Sequence, residues 1–283
     1  MIKNKIFKFI ITILLLFFCV LLYSRFIGTS GLNVKEYKIT INNLPDNFQG
    51  LKIVHLSDIH YGRIINSKRF EQIVEKVNSL KPDIVVITGD LIDRDTKLTD
   101  NDINDISSYL NKINASIGKY IIRGNHDFEI NDWKQIVLGS DFTNLDDNYE
   151  LVYKNGYDPI LIAGLSSMQN EKSVEERFNL LDNKINQLKE TIQYKILMLH
   201  EPDIITSIDT TNYPLVLAGH SHNGQVRLPI IGALVKADGA KQYYDEYYKV
   251  NETDLYISSG IGTSELDFRL FNRPSINFYR LNK

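Results

Sequence analysis

Residues that could bind metal ions recur in five short clusters of this sequence. The clusters read Asp58-Ile59-His60, Gly89-Asp90, Gly124-Asn125-His126-Asp127, His200 and Gly219-His220-Ser221-His222. They contain five of the chain's six histidines. Carboxylate, imidazole and amide groups together offer oxygen and nitrogen donors, a set that suits Mn, Fe, Zn or Co better than Cu(I) or Ca. The chemistry indicated is therefore metal-assisted.

Each cluster also has an ordinary structural explanation when taken singly. Gly-Asp after a strand is usually a turn, and Asn-His-Asp could cap a helix. Their recurrence favours a metal site, because carboxylates clustered without a cation repel one another. The donors are too many for one tetrahedral ion and suit two ions about 3.5–4 Å apart, as in hydrolases acting on phosphate esters. His55 lies inside a predicted strand, and we interpret it as structural.

The elements around the clusters follow a β-α-β-α-β order. Apolar spacing from Phe70 to Leu80 and from Ile103 to Ile113 predicts two helices. A third helix, predicted at 173–190, begins with a Ser173/Glu176 capping box. The predicted strands are 36–42, 51–57, 83–88, 119–122, 149–153, 159–164, 194–199, 214–218, 254–258 and 275–281.

This order of elements is typical of a largely parallel sheet with crossover helices, in one compact α/β domain. Ligands of such sheets bind beyond the carboxyl ends of the strands. All five clusters follow predicted strands directly. We therefore expect them to meet at one edge of the fold.

Composition narrows the class of protein further. The chain has 283 residues, 43% of them hydrophobic, and a formal net charge of −3. These values exclude a disordered or low-complexity protein, and no basic surface indicates nucleic-acid binding. The single cysteine, Cys19, excludes an internal disulfide and a cysteine-based zinc site.

The N-terminus carries an uncharged apolar run at residues 9–24, between Lys8 and Arg25. A membrane span needs about 20 apolar residues, within a range of roughly 17–25, and apolar neighbours on both sides extend this run. We predict an uncleaved membrane anchor in residues 1–30 and a catalytic domain in residues 31–283. A cleaved signal peptide, which would release a secreted protein, is the alternative.

The orientation of the anchor follows from its flanking charges. Lysines precede the run at positions 3, 5 and 8, and basic residues follow it at positions 25, 35 and 38. The slight positive-inside bias favours a cytoplasmic N-terminus and a domain on the extracytoplasmic face of the cell membrane. A domain on the cytoplasmic face is the alternative.

The five clusters, in this order, resemble the motifs of the calcineurin-like metallophosphoesterase superfamily. The stretches SDIH, GDLID, HEPD and GHSHNGQ, with Gly260, Gly262 and Arg269 near the end, are similar to its membrane-anchored bacterial phosphodiesterase branch. Asn223 stands where that branch more often has Gly, and Arg123 where an aliphatic residue or proline is common. Neither position is an expected ligand.

The resemblance implies a fold, a cofactor and a set of roles. The implied fold is α/β, a four-layer α/β/β/α sandwich of two mixed sheets flanked by helices, here preceded by one transmembrane helix. The implied cofactor is two divalent or trivalent metal ions, and the implied nucleophile is a hydroxide bridging them. The implied ligands are Asp58, His60 and His222 for one ion, Asn125, His200 and His220 for the other, and Asp90 for both. His126 is the implied catalytic residue, with Asp127 orienting its ring.

These implications lead to a metal-dependent phosphoester hydrolase, expected to be a phosphodiesterase. The alternative is a catalytically idle metal-binding sensor or scaffold, although such proteins usually lose a ligand and all are present here. A membrane anchor favours a phospholipid or lipid-linked phosphate as substrate. The loop 223–242 and the tyrosine-rich stretch 243–248 could line a lipid-facing mouth or could be solvated turns. Nothing in the sequence indicates an oligomeric state.

Overall fold

The computed structural model describes residues 2–283, which form five α-helices and fourteen strands. The helices are α1 (Ile2–Leu22), α2 (Ser67–Ser79), α3 (Asp100–Lys112), α4 (Trp133–Leu138) and α5 (Val174–Asn186). The strands are β1 (Asn33–Thr40), β2 (Leu51–Leu56), β3 (Ile84–Ile87), β4 (Gly118–Ile121), β5 (Thr143–Asn144), β6 (Asn148–Val152), β7 (Ile160–Gly164), β8 (Lys195–Met198), β9 (Leu215–Ala218), β10 (Arg227–Leu228), β11 (Gly232–Ala233), β12 (Tyr247–Val250), β13 (Thr253–Ile257) and β14 (Ser275–Asn282).

Two six-stranded sheets contain all of the strands except β10 and β11, which form a small hairpin. The first sheet has the order β1-β14-β2-β3-β4-β5, and the second has the order β12-β13-β9-β8-β7-β6. Both are mixed: β14 runs antiparallel to β2, and β6 and β12 pair antiparallel at opposite edges of the second sheet. The central strands β2, β3 and β4 are parallel, as are β7, β8 and β9.

Alternate side chains of the central strands face two different layers: the core between the two sheets, and the helices outside them. In β3, Ile84 and Val86 belong to the core between the sheets, whereas Val85 and Ile87 face α2 and α3. The second sheet repeats this pattern and packs its outer face on α5. Because side chains alternate between the two faces of a strand, continuously apolar strands are those covered on both faces. The predicted two-sheet α/β fold is therefore confirmed.

All ten predicted strands are present, within a few residues at their ends. The predicted helices correspond to α2, α3 and α5. Ser173 caps α5 by accepting the Glu176 amide at 3.2 Å, but the reciprocal capping box is found at Thr99 and Asp102 of α3. The carboxylate of Glu176 instead lies 3.6 Å from the Lys172 ammonium.

The N-terminal helix is long and apolar enough to cross a membrane over Lys3–Ile27, a criterion that a signal sequence also meets. Its apolar side chains are exposed along α1. The last turn, Tyr23–Ile27, is π-helical and touches the rest of the protein: Ser24 is buried, and its carbonyl accepts the Arg269 amide at 3.0 Å. The helix therefore ends against the loop that precedes β14.

Candidate metal centre

The five clusters meet where the two sheets present the carboxyl ends of their parallel strands. Main-chain hydrogen bonds join the loops directly: Asp58 N donates to Gly89 O at 3.0 Å, and His60 N donates to Asp90 O at 3.0 Å. In the second sheet, Gly219 N donates to His200 O at 3.0 Å. The predicted convergence at one edge is thus present in the fold.

A first group of donors contains Asp58, His60 and His222, all of them buried. The Nε2 atoms of His60 and His222 lie 3.1 Å apart, and Asp58 Oδ1 lies 3.6 Å from His222 Nε2. Two imidazole nitrogens at this separation need a proton or a cation between them, because their lone pairs otherwise repel.

A second group contains Asp90, Asn125, His200 and His220. His200 Nε2 lies 3.0 Å from Asn125 Oδ1 and 3.3 Å from Asp90 Oδ2. His220 Nε2 bonds to the Asp238 carbonyl at 2.7 Å, which leaves Nδ1 as its ligand atom. Asp90 Oδ2 also lies 3.6 Å from His60 Nε2, so one carboxylate oxygen faces both groups.

The backbone of these loops is held in an uncommon conformation. Five donors have positive φ, between 45° and 65°: Asp58, His60, Asp90, His220 and His222. Non-glycine residues in this region cost roughly 1–3 kcal/mol each and cluster at functional sites. Gly89, with φ of 97°, permits close packing, since a Cβ there would lie 2.4 Å from Gly124 N and 2.7 Å from His200 Nδ1.

His126 lies beside the two groups; Arg94 N donates to its Nδ1 at 3.2 Å, and the carboxylate nearest its ring is that of Asp93. Asp93 Oδ2 lies 3.4 Å from His126 Nδ1 and 3.3 Å from His60 Nδ1. The Asp127 carboxylate is turned away and accepts the main-chain amides of Gly124 (2.9 Å) and Ile92 (3.2 Å). Adjacency in sequence favoured Asp127, but its position in the loop directs it to the backbone.

Asp93 therefore has the position of a carboxylate that orients a ligand histidine from behind. The short spacing to Asp90 was the available signal in the sequence, since both follow β3. Burial on its own would raise the pKa of the Asp93 carboxyl, but contacts with His126 and His60 bring it well below the usual range. Asp93 thus remains ionised and can hold both rings.

Opposite charges lie close together inside the cluster. Burial opposes ionisation of Asp90, yet His200 and His60 nearby bring its pKa well below the usual range. Burial likewise opposes protonation of His200, but Asp90 beside it raises the His200 pKa well above the usual value. Burial, reinforced by His60 and Arg269, lowers the pKa of His222 well below the usual value. Without a cation, the negative carboxylates are thus balanced by protonated histidines, and a bound metal ion would take the place of those protons.

A buried arginine supports the second histidine of the Gly-His-x-His motif. The Arg269 guanidinium is fully buried and donates to Gly262 O through Nε (3.0 Å) and Nη2 (2.7 Å). Its Nη2 also lies 3.1 Å from His222 Nδ1. Asn272 Nδ2 donates to the His222 carbonyl. These contacts fix the position of His222 from the side opposite the donor cluster.

The donor set fits metal ions well. Carboxylate and imidazole donors lie within 4.8 Å of one another in each group, and the Asn125 amide oxygen lies 3.0 Å from His200 Nε2. Such a set suits Mn, Fe or Zn. His55 lies apart, with its ring nitrogens engaged by Thr88 (2.8 Å) and Tyr279 (3.3 Å), as expected of a structural residue.

An open cavity of about 580 Å³ lies over the donors and gives access to them. Asp90, Asn125, His126, His220 and His222 form its floor. Its walls come from residues 168–169, 224–226, 235, 237–239 and 264–266. A cavity of this size admits a phosphate with a substantial group attached on one side.

Comparisons with known proteins agree with this site. Residues 51–224 match the family model described as calcineurin-like phosphoesterase. The chain is 29% identical over 266 residues to the metallophosphoesterase YkuE of Bacillus subtilis, covering 92% of this chain and 88% of that protein. It is 30% identical over 247 residues to a metallophosphoesterase of Campylobacter jejuni, covering 86% and 62%.

A vertebrate relative is longer. The chain is 27% identical over 252 residues to a protein of Danio rerio named transmembrane protein with metallophosphoesterase domain, covering 86% of this chain and 56% of that one. The family model covers more than half of this chain and includes all five clusters, from Asp58 to His222. The chain belongs to the calcineurin-like phosphoesterase family.

Proposed function

We propose that this protein is a binuclear metal-dependent phosphodiesterase. The observation that carries the proposal is the position of Asp90, whose Oδ2 faces His60 at 3.6 Å on one side and His200 at 3.3 Å on the other. A carboxylate between two donor groups is what a pair of ions sharing one ligand requires. Asp58, His60 and His222 would hold one ion, and Asn125, His200 and His220 would hold the other.

When bound, two cations would activate water near neutral pH and neutralise charge on a phosphoryl group. The protein's own residues would then position and protonate the substrate. His126 lines the cavity floor and would donate a proton to the leaving oxygen. Burial disfavours the charged form of its ring, but Asp93 and Asp90 outweigh this effect and raise the His126 pKa. A raised pKa favours the protonated ring that a proton donor needs.

We further propose that α1 anchors the chain in the cell membrane with the domain on the extracytoplasmic face. The apolar helix and the relatives named as transmembrane proteins support anchoring. A phosphoester embedded in the bilayer, either a phospholipid or a lipid-linked phosphate, would then be concentrated near the site. The wide cavity leaves room for the rest of such a molecule.

The test uses the full chain in detergent micelles, with bis-p-nitrophenyl phosphate as substrate and Mn²⁺, Fe²⁺ or Zn²⁺ added separately. Two variants separate binding from chemistry. Asp90→Ala is expected to lose bound metal and nearly all turnover, because it removes the shared ligand. His126→Ala is expected to retain the metal and lose about 10²–10⁴-fold in turnover.

Metal content, measured by elemental analysis, gives the second readout. Full activity in Asp90→Ala would contradict the shared-ligand assignment. A metal-loaded wild-type protein that turns over neither this diester nor p-nitrophenyl phosphate would instead support an idle metal-binding sensor or scaffold.

A further inference from the structure

An apolar hairpin projects beside the cavity mouth. Strands β10 and β11 form it, and residues 228–235 read LPIIGALV, eight uncharged residues between Arg227 and Lys236. Ile230 is fully exposed, and Ile231, Leu234 and Val235 are largely exposed. Soluble monomers rarely expose such a contiguous apolar surface without a partner for it.

Further exposed apolar side chains flank the hairpin. Leu266 is 63% exposed and lines the cavity together with Val235. Phe271 is 66% exposed and follows Leu270, which pairs with Val226 at the base of the hairpin. We call this surface the apolar rim; it comprises Ile230, Ile231, Leu234, Val235, Leu266 and Phe271.

The apolar rim is continuous with the end of the N-terminal helix. Arg269 N donates to Ser24 O at 3.0 Å, which ties the loop before β14 to the last turn of the helix. The next residue of that loop, Leu270, exchanges main-chain hydrogen bonds with Gln225 (3.2 Å) and Arg227 (3.0 Å). One short run of backbone thus connects the helix terminus to the base of the hairpin.

Of the two cations that flank the hairpin, Lys236 is arranged as at a lipid interface, whereas Arg227 is paired with a carboxylate. Lys236 is exposed, and its ammonium lies 3.7 Å from the centre of the Tyr244 ring. Arg227 pairs with Asp245 at 2.6 Å. Lysine beside an aromatic ring is typical of the headgroup region, where the stem contacts apolar surface and the charge faces phosphate.

We propose that the apolar rim inserts into the same bilayer interface in which α1 is anchored, as a second membrane contact. This proposal rests on the proposed anchoring by α1. Its consequence is that the cavity mouth, bordered by Val235 and Leu266, opens against the lipid surface. The substrate class that fits this arrangement is an amphipathic phosphoester whose phosphate reaches Asp90 and His126 while its acyl part stays among the rim side chains.

The test measures lipid contact directly and does not depend on activity. The full chain is reconstituted into vesicles of phosphatidylcholine and phosphatidylglycerol, in which a doxyl quencher is carried on the acyl chain. A single nitrobenzoxadiazole label is attached at Ile231→Cys in a Cys19→Ser background. Leu138→Cys is the matched control, because Leu138 is 74% exposed and Ile231 is 70% exposed.

Native Cys19 serves as the positive control, since it is exposed on α1. Lipid-borne doxyl is expected to quench the label at position 231 at least about half as strongly as the label at Cys19, and to leave the label at position 138 unaffected. Adding Ile230→Asp is expected to abolish quenching at position 231. The thermal unfolding midpoint of each labelled protein verifies that it is folded.

Three results would overturn the proposal. Equal quenching at positions 231 and 138 would show that the apolar rim makes no second membrane contact, without contradicting anchoring by α1. A blue-shifted but unquenched label at position 231 would assign the rim to a protein surface, such as a second copy of the chain. An unquenched label at Cys19 would remove the anchoring on which the proposal rests, without affecting the proposed phosphodiesterase activity.

Discussion

Asp93 offers the sharpest test of the site, because one carboxylate oxygen lies against two different imidazoles. Its Oδ2 is 3.3 Å from His60 Nδ1 and 3.4 Å from His126 Nδ1. Asp93→Asn keeps the size of the side chain and one hydrogen-bond acceptor but removes the negative charge. The variant should therefore fold and still bind metal, but His60 and His126 lose the negative charge beside their rings.

The magnitude follows from the two contacts. Loss of a partner behind a ligand histidine typically costs 10–100-fold in metal affinity. Because asparagine still accepts a hydrogen bond, we expect about tenfold weaker binding of the ion that His60 would hold, or about 1.4 kcal/mol. At saturating metal, turnover should fall by about a further 10–100-fold, since the proposed proton donor His126 loses its counter-charge.

The pH profile provides a signature that a purely structural defect would not reproduce. Asp93 helps to raise the pKa of His126 in spite of burial. A proton donor works below its pKa, so activity falls on the alkaline side as pH rises through that value. Without the Asp93 charge the pKa falls, and the alkaline limb of the profile moves to lower pH.

The assay combines metal titration with turnover of bis-p-nitrophenyl phosphate across pH, using the full chain in detergent. The matched control is Asp95→Asn, an exposed aspartate two positions along the same loop. Unchanged metal affinity together with an unchanged alkaline limb in Asp93→Asn would refute the role given to this carboxylate. A similar loss in Asp95→Asn would attribute the effect to loop charge in general.

Two further predictions concern stability. Arg269→Met leaves the Gly262 carbonyl without its buried donor and should lower the free energy of unfolding by about 2–5 kcal/mol, as measured by urea denaturation; an unchanged midpoint would contradict the structural role of the guanidinium. Burial lowers the pKa of His55 to about 3 in the folded protein, whereas in the unfolded chain this histidine binds a proton near pH 6.5. The stability that His55 contributes is therefore present above pH 6.5 and is lost as pH falls towards 3. Wild type should therefore lose up to about 1.4 kcal/mol per pH unit more than His55→Gln between pH 6 and 4, and identical slopes would show that His55 is accessible to protons when folded.

The sequence predicted the site best where an apolar run, which indicates a buried strand, is followed directly by polar residues. Continuous apolar runs such as Ile84–Ile87 can only be buried on both faces, and the polar residues after them must lie at the strand ends. Convergence of the five clusters followed from that rule. The long core strands and amphipathic helices were predictable for the same reason, since periodicity is a local property of the chain.

Other features depend on contacts that no local pattern records. Adjacency in sequence favours Asp127 as the carboxylate that orients His126, whereas the loop after β3 brings Asp93 to within 3.4 Å of the His126 ring. The short strands β5, β10 and β11 have two residues each and exist only through their partners. The placement of β14 between β1 and β2 joins the end of the chain to its beginning, which periodicity cannot indicate.

The hydrogen bond from Arg269 N to Ser24 O affects how this protein can be prepared. Membrane-anchored enzymes are commonly studied as soluble fragments cut just after the apolar segment. A cut at residue 30 would here remove Ser24 and Thr29, two side chains buried against the rest of the protein. The same arginine contacts the donor His222 directly, so truncation would free the backbone of a residue that supports the donor cluster. Kinetic constants from such a fragment would describe an altered enzyme.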